Sequence, residues 1–289
     1  MAEATTEPTV KRRRLAWLRP PEAGPGGTMS IWDHLRELRY RLMVSFAGIV
    51  LAAIGCILFY DPLVKFMMEP YYRAQHILQT ERGADVLVVN NGVGGAFALG
   101  VLICVIGGVV LASPIWLWQL WAFVAPGLVS KEKKYAVAFI AIALPLFLAG
   151  CALGYHVWPK GIEVLLGFTP MNMGISNLLE MREFLGMEIK IILVFGLSFL
   201  LPVVVVALNM AGVVRGYQLK AARKMVIFGS VVFAAVATPT TDPFSLLALA
   251  VPVTLMFFIS EFICRAWDKK RGITEETAKE FAIDLDDGK

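Results

Sequence analysis

Trp121-Ala-Phe-Val-Ala-Pro-Gly-Leu-Val-Ser-Lys-Glu-Lys-Lys134 lies between two long apolar segments and turns from aromatic to basic along its length. Trp116, Trp118 and Trp121 mark an aromatic belt at the close of the preceding segment, while Lys131, Lys133 and Lys134 require water. A second basic stretch, His34-Leu-Arg-Glu-Leu-Arg-Tyr-Arg-Leu42, stands beside another apolar segment. Each stretch carries one prominent acid, Glu132 and Glu37. Such an acid has two readings. It pairs locally, Glu37 with Arg41 at i,i+4 and Glu132 with its lysine neighbours. Or it receives arginines from a partner, because a carboxylate accepts a guanidinium bidentately.

Composition fixes the class. The chain is 57% hydrophobic and 17% charged, with a mean hydropathy of +0.67. Apolar runs near twenty residues recur, the length that crosses a hydrocarbon core of about 30 Å. This predicts an all-α polytopic membrane protein. A net charge of +4 is too small to imply nucleic acid. Cys56, Cys104, Cys151 and Cys264 form no CxxC and no Cys/His cluster, so they read as small apolar side chains in packed helices. His34, His76 and His156 share no motif. No cleavable signal peptide is expected, since the first sufficient apolar run begins at Leu42.

Residues 1–28 form a polar tail with a basic Lys11-Arg-Arg-Arg14 cluster and are expected to be disordered. Ser30-Ile-Trp-Asp33 resembles a capping box, with Ser30 as N-cap. Ile31, Leu35, Leu38 and Leu42 then share one narrow helical face, off which Glu37 and Tyr40 fall. An interfacial helix is predicted, with that stripe facing the membrane and Glu37 accessible, turning into a first span over about 42–60. Residues 61–92 read as a long loop with a short amphipathic helix around Val64–His76. A Gly-rich second span covers about 93–116, its glycines implying close helix approach. A third covers about 135–157, bent near Pro145. A loop follows over 158–186, then a fourth span over about 187–209 with its kink at Pro202.

After a basic loop over 215–224 come two short runs, Met225–Ala237 and Leu246–Ile263. The first, at 1.5 Å per residue, reaches only about 20 Å. Either this hairpin stops short of the far surface or the bilayer thins around it. One continuous helix is excluded by Pro239 and Pro243 around a turn-prone Asp242. Of the 27 Lys and Arg, 21 lie in the segment up to Arg41, the 131–134 and 215–224 loops and the segment from Arg265 onward. The positive-inside rule then predicts six spans with both termini cytoplasmic. The expected division is a cytoplasmic tail over 1–28, a six-span membrane domain over 29–267 and a second cytoplasmic tail over 268–289.

No Ser/His/Asp grouping, intramembrane aspartate pair, HExxH, P-loop or GxGxxG is present, so an enzyme is not expected, nor a cofactor or metal. The span centres are nearly free of charge and no internal repeat is visible, which counts against a small-solute transporter. A scaffold without a ligand is the remaining competitor. The two acids beside Trp121 and Phe123 fit a basic peptide with paired arginines followed by an apolar run.

These residues carry a resemblance. His34–Leu42, Trp121-Ala-Phe-Val-Ala-Pro-Gly-Leu128 with Glu132, Phe195-Gly-Leu-Ser-Phe-Leu-Leu-Pro202 and Thr238-Pro with Asp242 are similar to the signature stretches of TatC, the multispanning subunit of the twin-arginine translocase. The likeness runs in order from about Ser30 to Trp267. It implies a non-enzymatic receptor in the bacterial cytoplasmic membrane that binds twin-arginine signal peptides of folded cargo. It further implies assembly with single-span TatA and TatB-type subunits, self-association in the complex, and export driven by the proton motive force. By the same resemblance Glu37 and Glu132 recognise the arginine pair, with Arg39, Phe123, Pro126 and Leu128 as motif neighbours. Pro70 and Asp242 resemble positions needed for transport or assembly, although Asp242 also reads as a turn residue before Pro243. In one respect the chain departs from the pattern. Many relatives carry Glu or Gln where Leu200 stands here. Glu188 or Lys190 is then the candidate substitute for that polar contact with single-span partners, although Glu188 lies about 18 Å away along a helix.

Overall fold

The structure is a computed structural model that describes residues 31–82, 86–90, 92, 94–124, 133–168, 177–210, 212–237 and 243–273. Helices dominate because a backbone in hydrocarbon must satisfy its own hydrogen bonds. Helix α1 covers Ile31–Ile57, α2 Tyr60–Arg82, α3 Gly95–Leu111, α4 Ser113–Val124 and α5 Lys133–Leu166. Then come α6 (Met181–Ser198), α7 (Leu201–Met210), α8 (Gly216–Ala237) and α9 (Pro243–Lys270). Strands β1 (Val86–Val89) and β2 (Asn177–Glu180) pair in parallel, Val86 opposite Asn177 and Val89 opposite Glu180.

Four segments are long and apolar enough to cross a membrane: Trp32–Ile57, Val137–Leu166, Met181–Met210 and Pro243–Lys270. Helices α3 and α4, bent by 57° at Ala112, make a fifth when taken as one broken span. The break between α6 and α7 falls at Phe199–Leu200, which places Pro202 in the first turn of α7, where a missing N–H costs nothing. Helix α8 falls short of the same standard, because Lys220, Arg223 and Lys224 occupy its first half. Helices α8 and α9 are separate and antiparallel, joined by Arg223 to Glu261 and by Ser230 to Thr254. Asp242 and the rest of that turn lie outside the described residues.

Several expectations change. The interfacial helix and its turn are absent: α1 is one unbroken helix from Ile31 to Ile57, and Glu37 is buried at 3% exposure while Leu35 and Leu42 are exposed. Lipid is as apolar as leucine, so the apolar stripe has no need to turn inward, and the polar side of α1 packs on α4. Trp121 and Trp116 are not belt residues. Trp121 stacks on Phe139 at 4.5 Å, Trp116 meets Phe147 edge-on at 5.1 Å, and Trp118 alone of the three is exposed. The helix expected around 64–76 extends over the whole of α2, and α5 continues through Pro145 and Pro159 to Leu166. The basic 215–224 loop is largely the start of α8, and the charged segment after 265 is helical to Lys270. Ser30, the expected N-cap, lies outside the described residues, as do 1–29 and 274–289.

The core is centred on α5 and α6, where Phe147, Leu185, Ile191 and Phe195 are fully buried. The helices approach through glycines. A Cβ at Gly150 would stand 2.6 Å from the Phe195 carbonyl oxygen, and one at Gly196 would stand 2.5 Å from Cys151 Sγ. The expected close approach in α3 is present at Gly107 and Gly108, the latter 2.7 Å by the same measure from the Ile49 carbonyl oxygen of α1. On the other side of the bundle α2 is fastened to α5: the Tyr155 hydroxyl donates to the Phe66 carbonyl at 2.7 Å, with the two rings stacked at 4.5 Å.

Because the obstructing atom at Gly150 is backbone, Gly150→Val is expected to lower stability by about 1–3 kcal/mol. Gly229→Ala, with nothing within 4 Å of the added Cβ, should leave stability unchanged or raise it. Thermal unfolding of the two variants in detergent checks both.

Candidate functional site

Helix periodicity puts Glu37 and Arg41 one turn apart on α1, and Gln119 and Phe123 one turn apart on α4. The structure brings these two faces together. Arg41 donates from Nε to Glu37 Oε1 at 2.9 Å and from Nη2 to the same oxygen, while its Nη1 reaches Gln119 Oε1 at 3.4 Å. The pairing of Glu37 with Arg41 is thus real, and it occupies only one oxygen. Glu37 Oε2 is buried and accepts no hydrogen bond among the described residues. His34 Nδ1 stands 4.0 Å from it, beyond hydrogen-bonding range. The His34 ring lies flat on Phe123, with centroids 4.4 Å apart and planes within 16°. His34 is about half exposed at 47%, so it roofs the carboxylate from the solvent side.

The other expected residues divide as follows. Arg39 is exposed on the opposite side of α1, beside a shallow apolar groove lined by Leu35, Leu38, Leu42 and Phe46, and does not join Glu37. Glu132, Pro126 and Leu128 lie outside the described residues. Pro70 is buried within α2, and Leu200 is buried at 5% exposure. Glu188 cannot present a polar group to an outside helix: it is fully buried, and neither oxygen has a hydrogen-bond partner among the described residues. Lys190 is exposed near the middle of α6.

Sequence reading missed His34 as a lid and Gln119 as a brace. The only signal was spacing: three residues from His34 to Glu37 and four from Gln119 to Phe123. It also missed a second polar cluster on the same basic side. The Asp268 carboxylate, 4% exposed, accepts hydrogen bonds from Asn209 Nδ2 at 3.1 Å and from the Gly216 N–H at 2.7 Å. Glu261, 1% exposed, accepts from Arg223 Nε and Nη2 at 2.6 and 2.7 Å. Together these bonds hold the end of α9 against α7 and α8.

Removing Arg41 would leave Glu37 buried with its charge unanswered. Arg41→Ala is expected to destabilise the fold by about 3 kcal/mol, and much of that loss should return in the Arg41→Ala/Glu37→Gln double variant. Thermal unfolding of the single and double variants measures the coupling.

A family model described as Sec-independent protein translocase protein (TatC) matches residues 33–252. The curated relative from Xylanimonas cellulosilytica, a Sec-independent protein translocase protein TatC, is 34% identical over 238 residues, covering 82% of this chain and 84% of its own length. The protein of the same name from Magnetococcus marinus is 35% identical over 249 residues, covering 86% and 88%. Among solved structures, a crystal structure of the twin arginine translocase receptor TatC is similar, with a TM-score of 0.66 and 27% identity, covering 81% of this chain and 98% of that one.

Proposed function

This chain belongs to the TatC family of Sec-independent protein translocase proteins, and from that premise we propose that its basic face receives the twin-arginine signal peptide of folded cargo. It is a transport subunit of the Tat translocase, not an enzyme, and a multi-pass membrane protein. The observation that carries the proposal is Glu37 Oε2, a buried carboxylate oxygen with no hydrogen-bond partner among the described residues, next to the face of Phe123. A guanidinium is the side chain suited to both, because it donates to the carboxylate and stacks on the ring. Glu132 takes the second arginine, with Pro126 and Leu128 shaping the segment between the acids. The apolar part of the signal follows the exposed side of α1 along Leu35, Leu42 and Phe46, with Arg39 at the edge of that groove.

In this reading α8 is the fifth span, which gives six spans with both termini cytoplasmic. The chain sits in the bacterial cytoplasmic membrane and assembles with TatA and TatB-type single-span subunits and with copies of itself, drawing on the proton motive force. Pro70 and Asp242 serve transport or assembly at the outer end. The apolar Leu200 supplies no polar docking contact, which leaves Lys190 as the nearby charged group accessible to a partner.

Affinity of a twin-arginine signal peptide for the full chain tests the site. Glu37→Gln and Glu132→Gln should each weaken binding by about 1.5–3 kcal/mol, at least tenfold, and replacing the arginine pair by Lys-Lys should weaken it in the unaltered chain. Unchanged affinity in the double variant would return both acids to local pairing.

A further inference from the structure

Resting on that receptor reading, we infer that His34 holds the place of the ligand's guanidinium and competes with it, while the Phe123 face that it covers prefers arginine over lysine. The imidazole occupies the one slot that faces both Phe123 and Glu37 Oε2: it is stacked on the ring at 4.4 Å and stands 4.0 Å from the oxygen. It covers the carboxylate without satisfying it. Among the described residues the charged groups near this slot are on α1, namely Asp33, Arg36, Glu37 and Arg41. Asp33 and Arg36 pair with each other at 3.7 Å, and α4 contributes no titratable residue. An incoming cation must therefore displace His34 and give up its stack on Phe123. Arginine restores the stack and adds charge-assisted bonds to Oε2. Lysine restores only the charge, since an ammonium on a flexible stem has no plane to stack.

Affinities of Arg-Arg and Lys-Lys versions of one signal peptide for the full-length unaltered chain, His34→Ala and His34→Phe decide the matter. His34→Ala should bind both peptides more tightly, each by about 2- to 10-fold, the worth of one stacked aromatic pair, with the ratio of the two affinities kept. His34→Phe, which keeps the slot filled, should weaken both. The inference is overturned if the unaltered chain prefers Arg-Arg while His34→Ala leaves both affinities unchanged or lowers them. If the unaltered chain shows no preference for Arg-Arg, the receptor reading itself fails.

A separate observation carries a second proposal: the structure assigns an anionic phospholipid headgroup to the basic end of α8 and α9. Lys220, Arg265 and Lys269 converge on an open cavity of about 510 Å³, with Tyr217 on one wall and Phe262, 76% exposed, on another. Neither lysine has an ion pair or hydrogen bond among the described residues. The acids nearby do not cancel this charge. Asp268 is turned inward to Asn209 and Gly216, and Glu261 is shared between Arg223 and Arg265, the latter at 3.5 Å, which leaves the charge of the two lysines uncancelled. A phosphate on the cations with an acyl chain along Phe262 uses both halves of the cavity, whereas a soluble phosphate would use one.

Native mass spectrometry of the delipidated full-length chain with phosphatidylglycerol or phosphatidylcholine tests this, with inorganic phosphate as competitor. Phosphatidylglycerol should bind at least about tenfold more tightly than phosphatidylcholine, since each lysine near anionic lipid contributes several-fold. Lys220→Gln/Lys269→Gln should abolish that preference, and Lys190→Gln on α6 should keep it. Equal binding of the two lipids, an unaffected double variant, or displacement by millimolar inorganic phosphate would each overturn the lipid assignment.

Discussion

A carboxylate can leave water only where its charge is held, and the basic face of this bundle is built on three that have done so. Glu37, Glu261 and Asp268 are each less than 5% exposed. Each is met by fixed donors: Arg41 braced by Gln119, the fork of Arg223, and the Asn209 amide with the Gly216 N–H. Breaking such a unit exposes the remaining charge to a medium that cannot solvate it, so the unit acts as a geometric constraint on the helices that carry it. The start of α1 is thereby registered against the end of α4, and the end of α9 against α7 and α8. Among these acids Glu37 alone keeps a buried oxygen without a hydrogen-bond partner among the described residues. That exception separates a site from a fastening.

The spans were legible because length and hydropathy report directly on the thickness of the hydrocarbon. Breaks were legible where proline dictates them, at Pro202 after Phe199–Leu200 and around Pro239 and Pro243 between α8 and α9. What periodicity cannot give in a membrane protein is the direction of a face. In water, the stripe Leu35, Leu38, Leu42 would point to the core. In lipid it faces outward at no cost, and burial follows the small and polar residues that allow close approach. The same inversion explains the tryptophans. Trp121 and Trp116 satisfy an interfacial pattern in sequence, yet their rings fill gaps against Phe139 and Phe147.

The site was half legible for a related reason. An acid among arginines announces an ion pair, and the i,i+4 partner of Glu37 could be named from spacing alone. Which oxygen that partner takes, and what stands over the other, depends on how α1 rotates against α4. That rotation is fixed by tertiary contacts such as Gly48 against Ile115 and Gly108 against the Ile49 carbonyl. His34 therefore looked like an isolated histidine in sequence and becomes part of the site only once α4 brings Phe123 beneath it.

The two sides of the bundle use charge differently, and the difference is what leads the proposal to put recognition on the basic one. Among the described residues the pairs on the opposite side are Arg73 with Glu69 and Lys160 with Glu163, each within a single helix and with both partners at least partly exposed. Pairs of that kind contribute little and fix no helix relative to another. Cohesion there comes from aromatic contacts, Tyr71 and Trp158 on Phe184, and from the parallel pairing of β1 with β2. Those contacts fill space without directing a ligand. On the basic side the buried pairs hold their donors and acceptors in place before any ligand arrives. In the proposed reading a peptide arginine meets an oxygen whose position is already set, so less of the interaction is lost to ordering the receptor.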